Sequence, residues 1–306
     1  MKILVTGSKG QLGVELVRQG DRFDVEMVGV DLPKTDISDK SAVSRTLSLV
    51  RPVVVINAAA YTAVDKAESD QETAFAVNRD GAANLAEASA EAGIPLIHIS
   101  TDFVFDGKKK MPYIETDPVS PLNIYGKSKA EGEQAVRLNI PEHLIIRTSW
   151  LYGVFGNNFV KTMLRLGAEK EVIRVVADQH GCPTSAADLA ETLLTIAVRI
   201  WDNTGVEWGT YHYSGRGITT WHCFAEKILE LAKPYHRIRA EQVEAISTSE
   251  YPTPAKRPAF SALDCGQIQN TFGIIPRPWQ ESLKIVIDRI MLSTQKISIP
   301  ADIGEK

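Results

Sequence analysis

The sequence predicts an α/β fold, a doubly wound parallel sheet with a smaller C-terminal lobe, on three observations. Short β-branched runs alternate with longer helical patterns through the first half. A glycine-rich turn follows the first of those runs directly. After Trp150 the alternation loosens, and aromatic, Gly and Pro punctuation increases. Strand–helix–strand alternation implies a parallel sheet with helices on both faces, the Rossmann-type arrangement.

Residues 3–5, 25–30, 53–56 and 95–99 read as buried strands, with helices at 10–19, 40–50 and 71–92 between them. The last helix carries a dense stretch at helical spacing: Ala82, Leu85, Ala86, Ala88 and Ala92. Right-handed crossovers follow from this alternation. Beyond Trp150, strands are expected at 172–176 and 210–213, and helices at 186–200, 220–232 and 280–291. The expected division is therefore a dinucleotide-binding domain over 1–150, which also carries Tyr125 and Lys129 as candidate catalytic residues. Residues 151–292 form mainly a substrate-binding lobe, with the chain free to cross between lobes, and 293–306 a polar tail.

With 306 residues, 44% of them hydrophobic, the chain can bury a substantial core. A formal charge of -4 argues against a nucleic-acid partner, which usually selects a basic footprint. An anionic ligand then needs a local positive pocket. Cys182, Cys223 and Cys265 are odd in number and lack metal-ligand spacing, so reduced thiols in a cytoplasm are expected. The opening Met1-Lys2-Ile3-Leu4-Val5-Thr6 runs straight into glycines and reads as a first strand, not a signal peptide. No run approaches the ~18 apolar residues of a membrane span.

Gly7-x-x-Gly10-x-x-Gly13 joins the first strand to the first helix. Glycine is needed there because the backbone must turn tightly and admit a pyrophosphate to the helix N-terminus. Asp31 ends the second strand, where an acid would accept from the adenosine ribose hydroxyls and favour NAD over NADP. Lys34 nearby could meet a 2′-phosphate, so NADH and NADPH both stay open. Asp36 and Ile37 could flank adenine or form a simple loop. Asn57-Ala58-Ala59-Ala60 follows the third strand, and its small side chains would let backbone approach a ligand.

Tyr125 and Lys129 stand at i and i+4 and share a helix face. A neighbouring ammonium is expected to lower the phenol's ordinary pKa of about 10 and make Tyr125 a usable acid–base group. Such pairs are common on solvated helices. The functional reading rests on Ser100-Thr101-Asp102, which ends a strand and supplies a hydroxyl for a substrate oxygen.

Together these residues resemble a known family. Ser100-Thr101-Asp102-Phe103-Val104-Phe105-Asp106-Gly107, Tyr125-x-x-x-Lys129, Arg147-Thr148-Ser149-Trp150 and the 251–258 segment around Arg257 are similar to the dTDP-4-dehydrorhamnose reductases. These are extended short-chain dehydrogenase/reductases. The likeness spans nearly the whole chain and implies a two-lobed fold, use of NADH or NADPH, and reduction of a dTDP-linked keto-sugar. It implies cofactor contacts at Gly10, Gln11, Leu12, Asp31, Asp36, Ile37, Ala60, Tyr61 and Thr62. It also implies Tyr125 as proton donor and Lys129 as a cofactor contact. Thr101, Asp102 and Trp150 would lie at the sugar, Trp150 with an apolar face toward it. Asn158 and Arg257 are further candidates on the nucleotide side, Arg257 through a planar fork suited to pyrophosphate or, equally, through a surface ion pair.

The chain departs from the family pattern at two places. Phe103 stands where some members carry Tyr. Some members also bind magnesium through carboxylates; Glu15 matches one of these, but Ala187 stands at another and Asp188 points about 100° away on a helix. No metal is therefore expected. Phe103 also replaces the Glu of the related 4,6-dehydratases, which counts against dehydration. The alternatives are a reductase of a related nucleotide 4-keto-6-deoxysugar and a non-catalytic, NAD(P)-binding regulatory subunit. A homodimer stays open.

Overall fold

A computed structural model describes residues 1–235 and 238–297. The first layer alternates as the periodicity requires: β1 (Lys2–Thr6), α1 (Gln11–Gln19), β2 (Glu26–Val30), α2 (Lys40–Val50) and β3 (Val54–Asn57). Two short helices, α3 (Val64–Ala67) and α4 (Gln71–Phe75), lead through a π-helical turn, Ala76–Asp80, into α5 (Gly81–Ala92). Then come β4 (Leu96–Thr101), α6 (Ile124–Asn139) and β5 (His143–Thr148). The one long helix expected over 71–92 is thus interrupted where Asn78 turns inward.

The second half comprises β6 (Leu151–Tyr152), α7 (Phe159–Glu169), β7 (Val172–Val176), β8 (His180–Gly181), β9 (Thr184–Ser185), α8 (Ala186–Trp201) and β10 (Gly209–His212). It ends with β11 (Thr219–Thr220), α9 (Trp221–Ala232), β12 (Gln242–Ile246), α10 (Gly266–Phe272) and α11 (Trp279–Ile297). Residues 293–297, expected in the tail, continue α11; 298–306 lie outside the described residues.

Six strands form one parallel sheet in the order β2-β1-β3-β4-β5-β10. One face is closed by α1, α8 and α10 around Ile3, Val5, Ile56, Leu189 and Phe272. The other is closed by α2, α5 and the end of α6 around Leu4, Val55, Leu85 and Val136. A second core, built on α7, α9 and α11 with β7, centres on Val160, Phe224, Leu283 and Ile287. Both α8 and β10 come after Trp150 yet belong to the sheet layers, so the stretch 151–292 contributes to both lobes.

Sheet order reverses between β1 and β3, and a crevice at such a switch point lies outside the carboxyl ends of the strands. The register lines up Thr6 with Asn57 and Thr101 with Thr148 along that edge. Among the described residues no helix is long and apolar enough to cross a membrane.

Candidate active site

The glycine turn sits at the switch point. Gly7 has φ +68°, and a Cβ there would lie 2.6 Å from Ala59 Cα, so the loops after β1 and β3 meet backbone to backbone. A Cβ on Gly13 would come within 2.1 Å of the Gly7 carbonyl. Gly10 caps α1 with no side-chain hydrogen bond, which leaves the helix start open to an anion. The side chain of Leu12 is in the core, so only its backbone can face a ligand. Asp31 is aimed by two backbone donors, Lys9 N at 2.8 Å and Leu32 N at 2.7 Å. This cradle, closed to any larger side chain and flanked by an oriented acid, fits a dinucleotide.

Two expected cofactor residues are otherwise engaged. The Asp36 carboxylate accepts from the Ser38 N–H at 2.9 Å and hydroxyl at 2.7 Å. Ile37 is buried against Gly81 of α5, so its side chain packs the core and does not lie open to adenine. Ala58, Ala60 and Tyr61 remain partly exposed and Thr62 exposed, in the loop after β3. Asn78 grips Tyr61 in both directions, accepting from its N–H at 2.9 Å and donating to its carbonyl at 3.1 Å, and also donates to Ser128 of α6 at 2.9 Å.

At the other side of the crevice, Asn123 caps α6 by accepting from Gly126 N at 2.8 Å. The absent side chain of Gly126 lets the helix start approach the Phe103 carbonyl, where a Cβ would come within 2.2 Å. Tyr125 is thereby set edge-on to Phe103, with ring centroids 5.7 Å apart, and beside Thr101. Burial pushes the Tyr125 phenol up to about 12; the Thr101 hydroxyl pulls against this and the Asp102 charge adds to it. The expectation that Lys129 lowers this pKa is not met. Its ammonium donates to the Ile99 carbonyl at 2.6 Å and lies 3.5 Å from His98 Nε2, on the floor of the crevice. Burial lowers Lys129 to about 8.

Asp102 is 2% exposed. Its Oδ1 accepts from the Thr101 hydroxyl at 3.0 Å, while Oδ2 is buried with no partner at hydrogen-bond distance among the described residues. Burial raises this carboxyl to about 7 against the hydroxyls of Ser261 and Thr101. Thr148 Oγ1, at the adjoining strand end, is likewise buried and unpaired among the described residues. Ser100, by contrast, donates to Glu133 Oε1 at 2.6 Å, and the Arg147 guanidinium holds that same carboxylate at 2.8 and 2.7 Å. Ser100 is therefore part of the support, whereas the Thr101 hydroxyl, held on Asp102 Oδ1, is the one that lies beside Tyr125.

Sequence reasoning missed that support. Thr6 donates to Asn57 Oδ1 at 2.7 Å, and Asn57 Nδ2 meets His98 Nδ1 at 2.9 Å. This buried line connects the cofactor loop to Lys129. Its only sequence signal is polar residues inside otherwise apolar strands.

The remaining candidates stand at the lobe junction. Asn158 caps α7 through Lys161 N and brings its amide to Gln11 Oε1 at 3.3 Å; Gln11 in turn donates to the Leu151 carbonyl at 3.3 Å. Arg257 is closed on Asp65 through both terminal nitrogens, at 3.0 and 2.7 Å, so its fork forms an ion pair instead of facing a pyrophosphate. Trp150, with φ +46°, stacks on Trp221 at 3.6 Å and 8°. The opposite face of its indole is crossed by Gly181, so no face lies open to a sugar as expected.

The residues at the magnesium position of some relatives do not fit a divalent cation. Glu15 accepts from Arg289 at 2.9 Å, Ala187 has no ligand atom, and Asp188 is held by Arg277 at 2.8 Å and by Ser282. A guanidinium already neutralises each acid.

The family model described as "RmlD substrate binding domain" matches residues 1–292. A dTDP-4-dehydrorhamnose reductase of Sinorhizobium fredii is 45% identical over 95% of this chain and 98% of its own. The crystal structure of a dTDP-4-dehydrorhamnose reductase from Clostridium acetobutylicum superposes with TM-score 0.88 at 43% identity, covering 95% and 99% of the two chains. That from Bacillus anthracis, in complex with NADP, gives TM-score 0.87 at 38% identity over 94% and 99%. With the cradle, the Thr101–Tyr125 pairing and this likeness all running through one continuous chain, it belongs to the dTDP-4-dehydrorhamnose reductase family.

Proposed function

We propose that this chain reduces the 4-keto group of dTDP-4-dehydro-6-deoxy-L-mannose (dTDP-4-dehydro-β-L-rhamnose) to the hydroxyl of dTDP-L-rhamnose. The observation that carries this reading is the placing of the Thr101 hydroxyl beside Tyr125 at the carboxyl end of β4, on the same edge of the parallel sheet as the glycine cradle that follows β1. NADH or NADPH bound along Gly7, Gly10, Gln11, Leu12 and Gly13, with Asp31 toward the adenosine ribose, supplies the hydride. Asp31 favours NADH; Lys34 suits a 2′-phosphate.

Tyr125 is fully protonated at neutral pH, as a donor in the reductive direction must be. Its proton passes to the carbonyl oxygen as negative charge develops there, while the Thr101 hydroxyl orients that oxygen. Lys129 keeps its Nζ at the crevice floor, where it can also reach the cofactor ribose. Asp102 and Trp150 line the sugar side. Asn158 and Arg257 act by bracing the lobe junction. The odd number and wide spacing of Cys182, Cys223 and Cys265 are the ground for placing this work in the cytoplasm.

Tyr125→Phe should cut turnover roughly 10²–10⁴-fold while leaving cofactor affinity intact. Consumption of NADH and NADPH with the keto-sugar nucleotide measures the first, and cofactor fluorescence titration the second. Unchanged turnover in that variant would sink the assignment.

A further inference from the structure

Trp150 is held far more tightly than a side chain that merely lines a crevice. Its backbone lies in the left-handed region at φ +46°, strained for a bulky residue. On either side it is pinned: Ser149 Oγ donates to the Cys182 carbonyl at 2.6 Å, and Thr184 N donates to the Trp150 carbonyl at 3.2 Å. One face of the indole lies centroid over centroid on Trp221, 3.6 Å away and 8° from parallel. That overlap fills the face.

The other face meets Gly181. A Cβ there would lie 2.4 Å from the ring-fusion atom Cε2, 2.6 Å from Nε1 and 2.7 Å from Cζ2. A neighbour closer to the fusion atom than to the two atoms flanking it approaches from above the ring, not along its edge. With Trp221 on one side, Gly181 must stand on the other. A pyranose cannot lie flat on this indole. What Trp150 has left to offer is its rim, including an Nε1–H that makes no hydrogen bond among the described residues and is absent from their buried, unpartnered polar atoms.

Trp221 is itself well seated. It opens α9, whose Thr220 cap accepts from Cys223 N at 3.1 Å. Phe159 packs on it at 4.6 Å, and Phe224 and Trp279 continue the aromatic ladder into the second core.

We propose that Trp221 is a positioning residue for keto-sugar binding: it fixes Trp150 so that the indole meets the substrate with its N–H edge, as a donor to a sugar or pyrophosphate oxygen. This rests on the reading that Trp150 lines the sugar side. Preorganising such a ring spares the ordering cost at binding, so its loss falls on substrate affinity and not on the chemical step.

The test compares Trp221→Ala, Trp221→Leu, Trp221→Phe and Trp150→Phe in the full-length protein by steady-state kinetics and far-ultraviolet circular dichroism. Trp221→Ala should abolish the exciton couplet of the stacked indoles and raise KM for the keto-sugar nucleotide roughly tenfold, with KM for NADPH unchanged. Trp221→Leu fills the space without an aromatic plate, should behave alike, and serves if the alanine variant does not fold. Trp221→Phe keeps a plate and should restore most of the affinity. Trp150→Phe keeps the ring and deletes the N–H, and should raise the same KM. Loss of the couplet with an unchanged KM in the Trp221 variants overturns the positioning role. An unchanged KM in Trp150→Phe overturns the reading that Trp150 meets the sugar through its edge, whatever the Trp221 variants do.

Discussion

Tyr125 and Asp102 come from different elements but share the crevice wall, close enough for the Asp102 charge to act on the phenol, and burial acts on both in the same direction. Each holds its proton more firmly than it would in water, the phenol to about 12 and the carboxyl to about 7. For Tyr125 this suits a donor. For Asp102 it carries a cost. The folded state binds the Asp102 proton between the ordinary carboxyl value of 3.8 and about 7, while the unfolded chain has released it. Stability is therefore lost as pH rises through that window, by a few kcal/mol in order of magnitude, and the loss is complete above it. Asp102→Asn has no such proton to lose. The melting temperature of Asp102→Asn minus that of the parent should climb from pH 4 to 7 and then level off. A difference that stays flat across this range would show that Asp102 titrates normally. Nothing of this was legible in the Ser100-Thr101-Asp102 string, which names two hydroxyls and an acid but not that all three are buried, nor that one oxygen of the acid is left without a partner among the described residues.

At the scale of elements, α6 owes its place to two glycines. Gly126 lets its start rest on the Phe103 carbonyl, and Gly132 lets its middle rest on the Asn78 carbonyl, where a Cβ would come within 2.1 Å. The contacted carbonyl belongs to the π-helical turn that also swings Asn78 onto Tyr61 and Ser128. Gly132→Ala must push the backbones apart, because a peptide carbonyl cannot rotate away as a side chain can. Overpacking of this kind costs about 1–3 kcal/mol, read as a lower urea midpoint with little change in slope. An unchanged midpoint would mean the helices have slack. Apolar periodicity anticipated α2 at 40–50 and β7 at 172–176 because in both the buried positions decide the element. It could not show the π-helical turn within 71–92, since one extra backbone residue leaves the apolar spacing on either side intact. Arg257 is a parallel case: its residue type promised a fork, but only the fold shows that Asp65 occupies it.

For the molecule as a whole, the lobes are joined by charge as well as by apolar packing. Glu15 of α1, with a side chain 3% exposed, is neutralised by Arg289 of α11. A chelator should therefore leave both turnover and melting temperature unchanged; losses restored by added magnesium would mean that Glu15 serves a cation after all. The return of the chain to the sheet was the least legible feature at this scale. A strand over 210–213 was readable, but its partner β5 lies more than sixty residues earlier, and local pattern carries no record of so distant a pairing. That return has an evolutionary and practical consequence. Cutting after Trp150 would strip β10 from β5, leaving a raw edge ready to pair with another chain. It would also remove α8 from the apolar face around Ile3, Val5 and Ile56. The N-terminal half is thus not a transplantable cassette, and a chimera that exchanged sugar specificity between relatives would have to carry the 186–212 segment with the sheet, splicing around it on both sides.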